Sequence, residues 1–560
     1  MRHLAERVAT AGIPTLRFDY AGTGDSIGHD LDPDRTGAWI ASIQAAADTL
    51  RETSGVTDLC FLGIRLGALL AVLAAEKRAD VAALIAVAPV VSGKAYVREL
   101  RMLQRASEAK RNVVPATAAA ETIETAGFTL SASTQTALGG LDLTRRTPPP
   151  ARVLILDRAE LPGAERWEQH LQSSGSSVEL MKVGGYTEMM LDSHESIVPQ
   201  EMIGAALNWL SRRRDESREH TRGSSLALSA GAERVDLIDT SQALVPPPVT
   251  IDPVVGLEPA IPVEETVARF GADGSLVGIV TAPVGPANAR NSKGRGIVLI
   301  NSGAQHRVGP NRLYVALSRH LARHGHVALR MDIAGIGDSP PRPGDAENVV
   351  YPRHAVDDVQ AAVEYLRETW NRQDVRAMGL CSGAYHALKA AVAGVRLNGI
   401  VLINPLTFFW KEGMSLKYPE HRVAADIMRY RVNIWRPASW LKVLRGEVNL
   451  WESSQVLLRR ARTVALAPLR DAVHAIHAPL SDDLRSELSS VVRAGIDLQF
   501  VFAADDPGVE LLRNQGGAVA RKLQASGALR VATIEGADHT FTDPVKRAAL
   551  VRVLEQALCG

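Results

Sequence analysis

A stretch near the start of the chain, LAERVATAGIPTLRFDYAGTGDS (Leu4 to Ser26), recurs 313 residues later, Ser26 against Ser339, as LSRHLARHGHVALRMDIAGIGDS (Leu317 to Ser339). In both copies an amphipathic helical stretch passes through a short loop into a β-branched run and then a Gly-rich turn. A second pair, GIRLGALLA (Gly63 to Ala71) and GLCSGAYHA (Gly379 to Ala387), sets Arg65 against Cys381 at an offset of 316, so the register holds to within a few residues. A repeat of this length makes the chain two copies of one plan rather than one large core. Its 560 residues are also what two domains of ordinary size require.

Short β-branched runs alternate with amphipathic stretches in each copy, the pattern of parallel strands joined by helices. In the second copy strands are expected at GIVLIN, VALRMD, VRAMGLC, GIVLINP, LQFVFAAD and RVATIEG, and the alternating run Glu264 to Pro283 around an Asp-Gly turn reads as an antiparallel hairpin. The first copy starts inside the plan. Met1 falls in the helix that follows GIVLINSGAQHR in the second copy, so the hairpin and first central strand have no counterpart; either this domain is degenerate or the chain continues upstream. The boundaries expected are a degenerate domain over 1–212, a charged and then Pro-rich linker over 213–261, and a complete domain over 262–560.

Lys+Arg number 63 against 62 Asp+Glu, so no global basic field exists to hold nucleic acid or an anionic membrane. Cys60, Cys381 and Cys559 are far apart and form no metal-ligand spacing; no metal or cofactor is expected, and a reducing, cytoplasmic setting fits. No window approaches the roughly 20 apolar residues of a membrane span. Cys60 reads as a small buried hydrophobe.

The turn Gly379-Leu-Cys-Ser-Gly383, between a strand and a helix, resembles the nucleophile elbow of the α/β-hydrolase superfamily, with Cys381 as nucleophile and the N–H of Ser382 as one oxyanion donor. The resemblance implies a chain order of nucleophile, acid, histidine. LQFVFAADDPGVE ends in an acidic pair and RVATIEGADHTF ends in Gly-Ala-Asp-His, so Asp506 is expected as the acid, with Asp505 as the alternative, and His539 as the base. The types suit the chemistry: an imidazole takes the thiol proton, and a carboxylate fixes the imidazole's tautomer. A second donor is expected from the loop NSGAQHR, at Ala304. His306 and Arg307 beside it are candidates for holding a substrate anion, or else belong to a solvated loop. Tyr385 and His386 read as helix packing, and Asp332 as a structural residue of the entrance. The implied fold is two tandem α/β-hydrolase domains, mostly parallel sheets with helices on both faces, the first N-terminally truncated and the second bearing a helical cap over about 406–497. That insertion, rich in Phe, Trp and Tyr, is far longer than an ordinary connection.

Arg65 stands at the degenerate elbow of the first copy, where a nucleophile would be, and Glu188 aligns with His539, so the first half reads as a pseudo-hydrolase. Arg65 either holds an anion or closes an internal ion pair. GIRLGA, PVVSGKAYVRELR and GGYTEMM look like hydrolase-type proteins associated with exosortase A systems of exopolysaccharide gene clusters, over roughly 1–210. The second half is similar to serine-aminopeptidase-like α/β-hydrolases over roughly 262–560, with Cys in place of Ser. Cysteine elbows also occur in dienelactone hydrolases and polyhydroxyalkanoate synthases. Three readings follow: an ester or thioester hydrolase acting on a small-molecule acyl substrate, an acyltransferase to a sugar or other hydroxyl, and a non-catalytic scaffold.

Overall fold

The computed structural model of the chain describes residues 1–111, 122–125, 127–146, 152–224, 249–251, 262–285, 294–411, 414 and 483–559. These form two compact units, Met1–Ala243 and Leu244–Gly560. Most of the expected cap, 412–413 and 415–482, lies outside the described residues.

The first unit begins with helices α1 (Arg2–Thr10) and α2 (Arg35–Ser54). Strand β1 (Leu59–Ile64) leads through the turn at Arg65 into α3 (Leu66–Ala75), and β2 (Val81–Val87) into α4 (Gly93–Arg111). A small ribbon, β3 (Ile123–Thr125) and β4 (Phe128–Leu130), is followed by α5 (Ala132–Gly139). The unit ends with β5 (Arg152–Arg158), α6 (Glu165–Ser173), β6 (Val178–Val183), α7 (Tyr186–Met189) and α8 (Gln200–Ser224). Its main sheet is parallel in the order β1-β2-β5-β6. Ala68 to Ala75 of α3 are all buried against it. β1 is an edge, and a cavity of about 560 Å³ lies beside it, lined by Met1, Leu4, Val8, Phe18, Ile43 and Cys60 among others. Cys60 is therefore exposed, contrary to its reading as a buried hydrophobe: no further strand covers this side of β1 among the described residues.

The second unit opens with β7 (Val249–Ile251), which pairs antiparallel with β8 (Val263–Phe270). Within the stretch read as linker, the three residues after Pro246-Pro247-Pro248 thus join the sheet, because a β-branched Val-Thr-Ile run can add to an open edge even directly behind prolines. β8 and β9 (Leu276–Pro283) form the expected hairpin, with Asp273 and Gly274 at positive φ in its turn. There follow β10 (Gly296–Ile300), α9 (Leu313–Arg323), β11 (Val327–Asp332), α10 (Ala355–Glu368), β12 (Val375–Leu380), α11 (Ser382–Val392) and β13 (Gly399–Ile403). Beyond the undescribed stretch lie α12 (Leu484–Arg493), β14 (Asp497–Ala503), α13 (Pro507–Ala525), β15 (Leu529–Ile534) and α14 (Pro544–Cys559). The nine strands run β15-β14-β13-β12-β10-β11-β9-β8-β7, parallel from β15 to β11 and antiparallel beyond. Strands β10 to β13 are buried along their whole length, as strands covered by helices on both faces must be.

Strand order reverses at β10, whose neighbours are β11 and β12, and open α/β sheets bind ligands at the carboxyl ends of strands beside such a switch. Both units are α/β-hydrolase folds in tandem, the first lacking a counterpart of β10 among its described residues. No helix among the described residues is long and apolar enough to cross a membrane.

Candidate active site

Cys381 ends β12 and precedes α11 with φ 59° and ψ −114°, a conformation that L-residues adopt only under constraint. The constraint is the glycine pair. A Cβ on Gly379 would stand 2.2 Å from the backbone carbon of Gly383, and one on Gly383 would stand 2.6 Å from the carbonyl oxygen of Ile300, so helix, strand and β10 approach too closely for any side chain. The N–H of Cys381 donates to Ile403 at 2.9 Å, and the N–H of Leu380 donates to the buried hydroxyl of Tyr314 at 2.9 Å.

The same turn stands in the first unit around a different residue. Arg65 has φ 53° and ψ −117°, its N–H donates to Val87 at 2.9 Å, and a Cβ on Gly63 would meet Gly67 at 2.3 Å. The arginine's Nη2 reaches both carboxylate oxygens of Glu99 at 2.6 Å and its guanidinium lies over the ring of Tyr96. Of the two readings of Arg65, its observed partner is internal. Glu188 is exposed on α7.

His539 follows β15. Its Nδ1 lies 2.7 Å from Oδ2 of Asp506, whose Oδ1 accepts the N–H of Gly508 at 2.8 Å. Asp506 is 5 % exposed at the start of α13, whereas Asp505 is exposed, so the imidazole meets Asp506 and not Asp505. Nε2 of His539 is shielded from solvent and no atom meets it in hydrogen-bond geometry, yet Cys381 is near enough to act on it. Burial disfavours the imidazolium, but the hydrogen bond to Asp506 and the nearby sulfur of Cys381 outweigh it and raise the ring to about 10. Bonds to a catalytic imidazole are often long before substrate is present.

The loop after β10 is built on Asp332. That buried carboxylate accepts the side-chain amide of Asn301 at 3.0 Å, the N–H and guanidinium of Arg307, both at 2.7 Å, and the N–H of Asp338 at 3.1 Å. Arg307 is thus turned inward, bridging Asp332 and Asp338, while His306 is exposed on the same loop. The N–H of Gly303 donates to the hydroxyl of Ser382 at 2.8 Å, which ties this loop to the elbow. The N–H groups of Ala304 and Ser382 meet no acceptor among the described residues.

Asn404 and Tyr351 had no signal in the sequence, whereas Trp410 belongs to the aromatic-rich insertion after β13. Asn404, at φ 43° after β13, donates to the carbonyl of His539 at 2.7 Å and accepts the N–H of Ala503 at 2.9 Å, fixing the histidine loop to the sheet. Tyr351 stacks on Trp410 at 4.6 Å and meets the edge of Tyr385 at 5.0 Å, and these rings gather with Ala304 into an apolar cluster beside the elbow. Burial raises the phenol of Tyr351, and Tyr385, whose N–H donates to the carbonyl of Cys381 at 3.4 Å, joins the cluster to the elbow. His386 is buried with Nε2 on the carbonyl of Val350 at 3.0 Å, and burial lowers it to about 4, a packing histidine as read.

Among solved structures, an α/β serine hydrolase homologue from Coxiella burnetii is similar at 13 % identity, the match covering 56 % of this chain and 98 % of that one, with a TM-score of 0.28. A dienelactone hydrolase from Anabaena variabilis matches at 12 % identity over 56 % of this chain and 97 % of its own, TM-score 0.28. A Pyrococcus furiosus esterase does so at 12 % over 56 % and 98 %, TM-score 0.31. At these scores they assign no activity. No curated protein matches the chain. The sequence profile of the serine aminopeptidases, S33, matches residues 1–150 and 292–468, which take in the elbows of both units. With more than half of its residues so matched, the chain belongs to the serine aminopeptidase S33 family of α/β-hydrolases.

Proposed function

We propose that the second unit cleaves an ester or thioester through a thioacyl intermediate on Cys381, with His539 as acid and base and Asp506 as the residue that orients it. The observation that carries this reading is the imidazole bonded to a buried carboxylate on one side, its other nitrogen shielded and acted on by the sulfur at a strained elbow. The sulfur attacks the acyl carbon, and the N–H groups of Ser382 and Ala304 receive the oxyanion. Collapse breaks the bond to the leaving oxygen or sulfur, which takes the proton from His539. Once acylated, the sulfur no longer supports the imidazolium, and the ring, having given its proton to the leaving group, can draw one from water for the second attack. The carboxylic acid leaves, and the proton returns to the Cys381–His539 pair.

The cysteine departs from the serine that names the family and argues for acyl chemistry over peptide cleavage. Tyr351, Tyr385 and Trp410 offer an apolar wall for the acyl chain. The same rings would also suit a sugar face, which favours as second reading an acyltransferase that gives the thioacyl group to a sugar hydroxyl. The likeness of the first half to exosortase-associated proteins supports that setting. A short pulse of an activated aryl ester, followed by intact-mass measurement, is expected to show one acyl adduct on the wild type and none on Cys381→Ala. An unchanged adduct in that variant removes Cys381 from the mechanism. Turnover that rises with an added sugar acceptor selects the transferase.

A further inference from the structure

α9 carries His320 in its last turn, His324 caps its carboxyl end four residues on, and α14 brings Glu555 opposite them. Nε2 of His320 lies 3.1 Å from Oε2 of Glu555, and Nε2 of His324 lies 3.2 Å from Oε1. The imidazole centroids are 4.5 Å apart, and the three donor atoms all fall within 4.8 Å of one another. All three side chains are partly buried.

The proton inventory of His324 is constrained. Its Nδ1 lies 2.9 Å from the carbonyl oxygen of His320, which can only accept, so Nδ1 carries a proton. In the neutral ring Nε2 then presents a lone pair, and it faces a carboxylate oxygen that also presents one. Two acceptors at that distance repel unless a cation stands between them, either a second proton or a metal ion. A backbone carbonyl on the far nitrogen is also how metal-ligating histidines are commonly held. The field has the same sign: His320 and His324 lie at the carboxyl end of α9, where the helix dipole is negative and a cation is favoured.

We propose that His320, His324 and Glu555 form a site for a divalent transition-metal cation, separate from the acyl chemistry, that clamps α9 to α14. Two imidazole nitrogens and a carboxylate make the donor set of Zn²⁺, whereas Mg²⁺ and Ca²⁺ prefer oxygen throughout. α9 follows the loop of Ala304 and α14 follows the loop of His539, so the clamp would brace the two elements from which those loops extend.

The test is a calorimetric Zn²⁺ titration of the full chain carrying Cys60→Ser and Cys381→Ala, which removes two thiols that compete for the ion. One Zn²⁺ per chain is expected, with affinity falling at least about tenfold, the scale on which even outer-shell partners act, in each of His320→Ala, His324→Ala and Glu555→Gln. His29→Ala in the first unit should leave it unchanged. Zn²⁺ should raise the melting temperature of the parent and not of the three variants, while Mg²⁺ raises neither. Glu555→Gln keeps the side chain's shape, and its circular dichroism separates a lost ligand from a lost fold. Binding that survives all three substitutions overturns the site. So does a melting temperature that depends on the three residues and is indifferent to Zn²⁺, which would leave a protonated His–Glu ion pair in place of the metal.

Discussion

The charge on His539 follows from what its two nitrogens face, and it makes the fold sensitive to pH. The ring titrates near its ordinary value of 6.5 when unfolded and is raised to about 10 in the fold, so the imidazolium's share of stability is fully present below about 6.5 and is lost as pH rises toward about 10. The melting temperature of the wild type is expected to fall across that window, and His539→Gln should flatten the fall. Cys381→Ala should flatten it in part, because the nearby sulfur supports the same proton. A slope identical in all three proteins removes His539 as its source. The acid can be assigned by the same logic of partners: Asp506→Asn loses the tautomer-fixing acceptor and should lower kcat at least about a hundredfold, since comparable serine triads lose about 10⁴. Asp505→Asn, at an exposed residue without that bond, should stay within about threefold. If Asp505→Asn is the more damaging change, the acid has been misplaced by one residue.

Loops rather than strands hold the site together, and the strongest test at this scale is Asn404. Its side chain joins Ala503 and His539, which are 99 and 135 positions away, and its backbone sits at φ 43°. Ala88, its counterpart in the first unit, holds φ 44° without such a side chain, so alanine is tolerated there. Asn404→Ala should therefore keep the fold, cost about 1–3 kcal/mol for the two groups left unsatisfied, and lower kcat with little change in KM as the histidine loop loosens. Asn404→Asp keeps an acceptor for Ala503 and loses the donor to His539, so it should recover stability more than kcat. Equal recovery of both would mean that Asn404 acts on the fold alone. This residue also marks the limit of what the sequence made legible. The strands of the second unit are visible as β-branched runs, and the elbow as two glycines four apart, because both are local patterns. Asn404 and Tyr351 are recruited by contacts between distant segments, and no spacing announces them; the aromatic run that holds Trp410 is visible, but not the ring it stacks on. Cys60 was misread for a related reason: burial on a strand depends on its neighbour, and among the described residues β1 has one on a single side.

Across the whole chain, one plan is used twice, and the proposed chemistry falls in one copy. Both elbows keep a residue at positive φ, worth about 1–3 kcal/mol of strain each, along with the glycine pair that enforces it and the hydrogen bond from the elbow N–H to the next strand. The Gly-rich turns agree as closely: Ser26 and Ser339 each donate at 2.7 Å to the carbonyls of Asp19 and Asp332. What differs is everything that would activate a nucleophile. The first unit has arginine at the elbow, an exposed glutamate where the histidine would stand, and no described counterpart of the strand and loop that carry Ala304. Its elbow is therefore retained as backbone architecture, with Glu99 neutralising the cation at its tip. Giving the turn a hydroxyl should not restore chemistry, because neither a base nor a second oxyanion donor faces it among the described residues. Aryl ester hydrolysis should accordingly be as low in Cys381→Ala with Arg65→Ser as in Cys381→Ala alone, while Arg65→Ser in the wild-type background should leave turnover within about twofold. Activity that returns in the double variant would show a working site in the first unit, and the division of labour between the two copies would have to be abandoned.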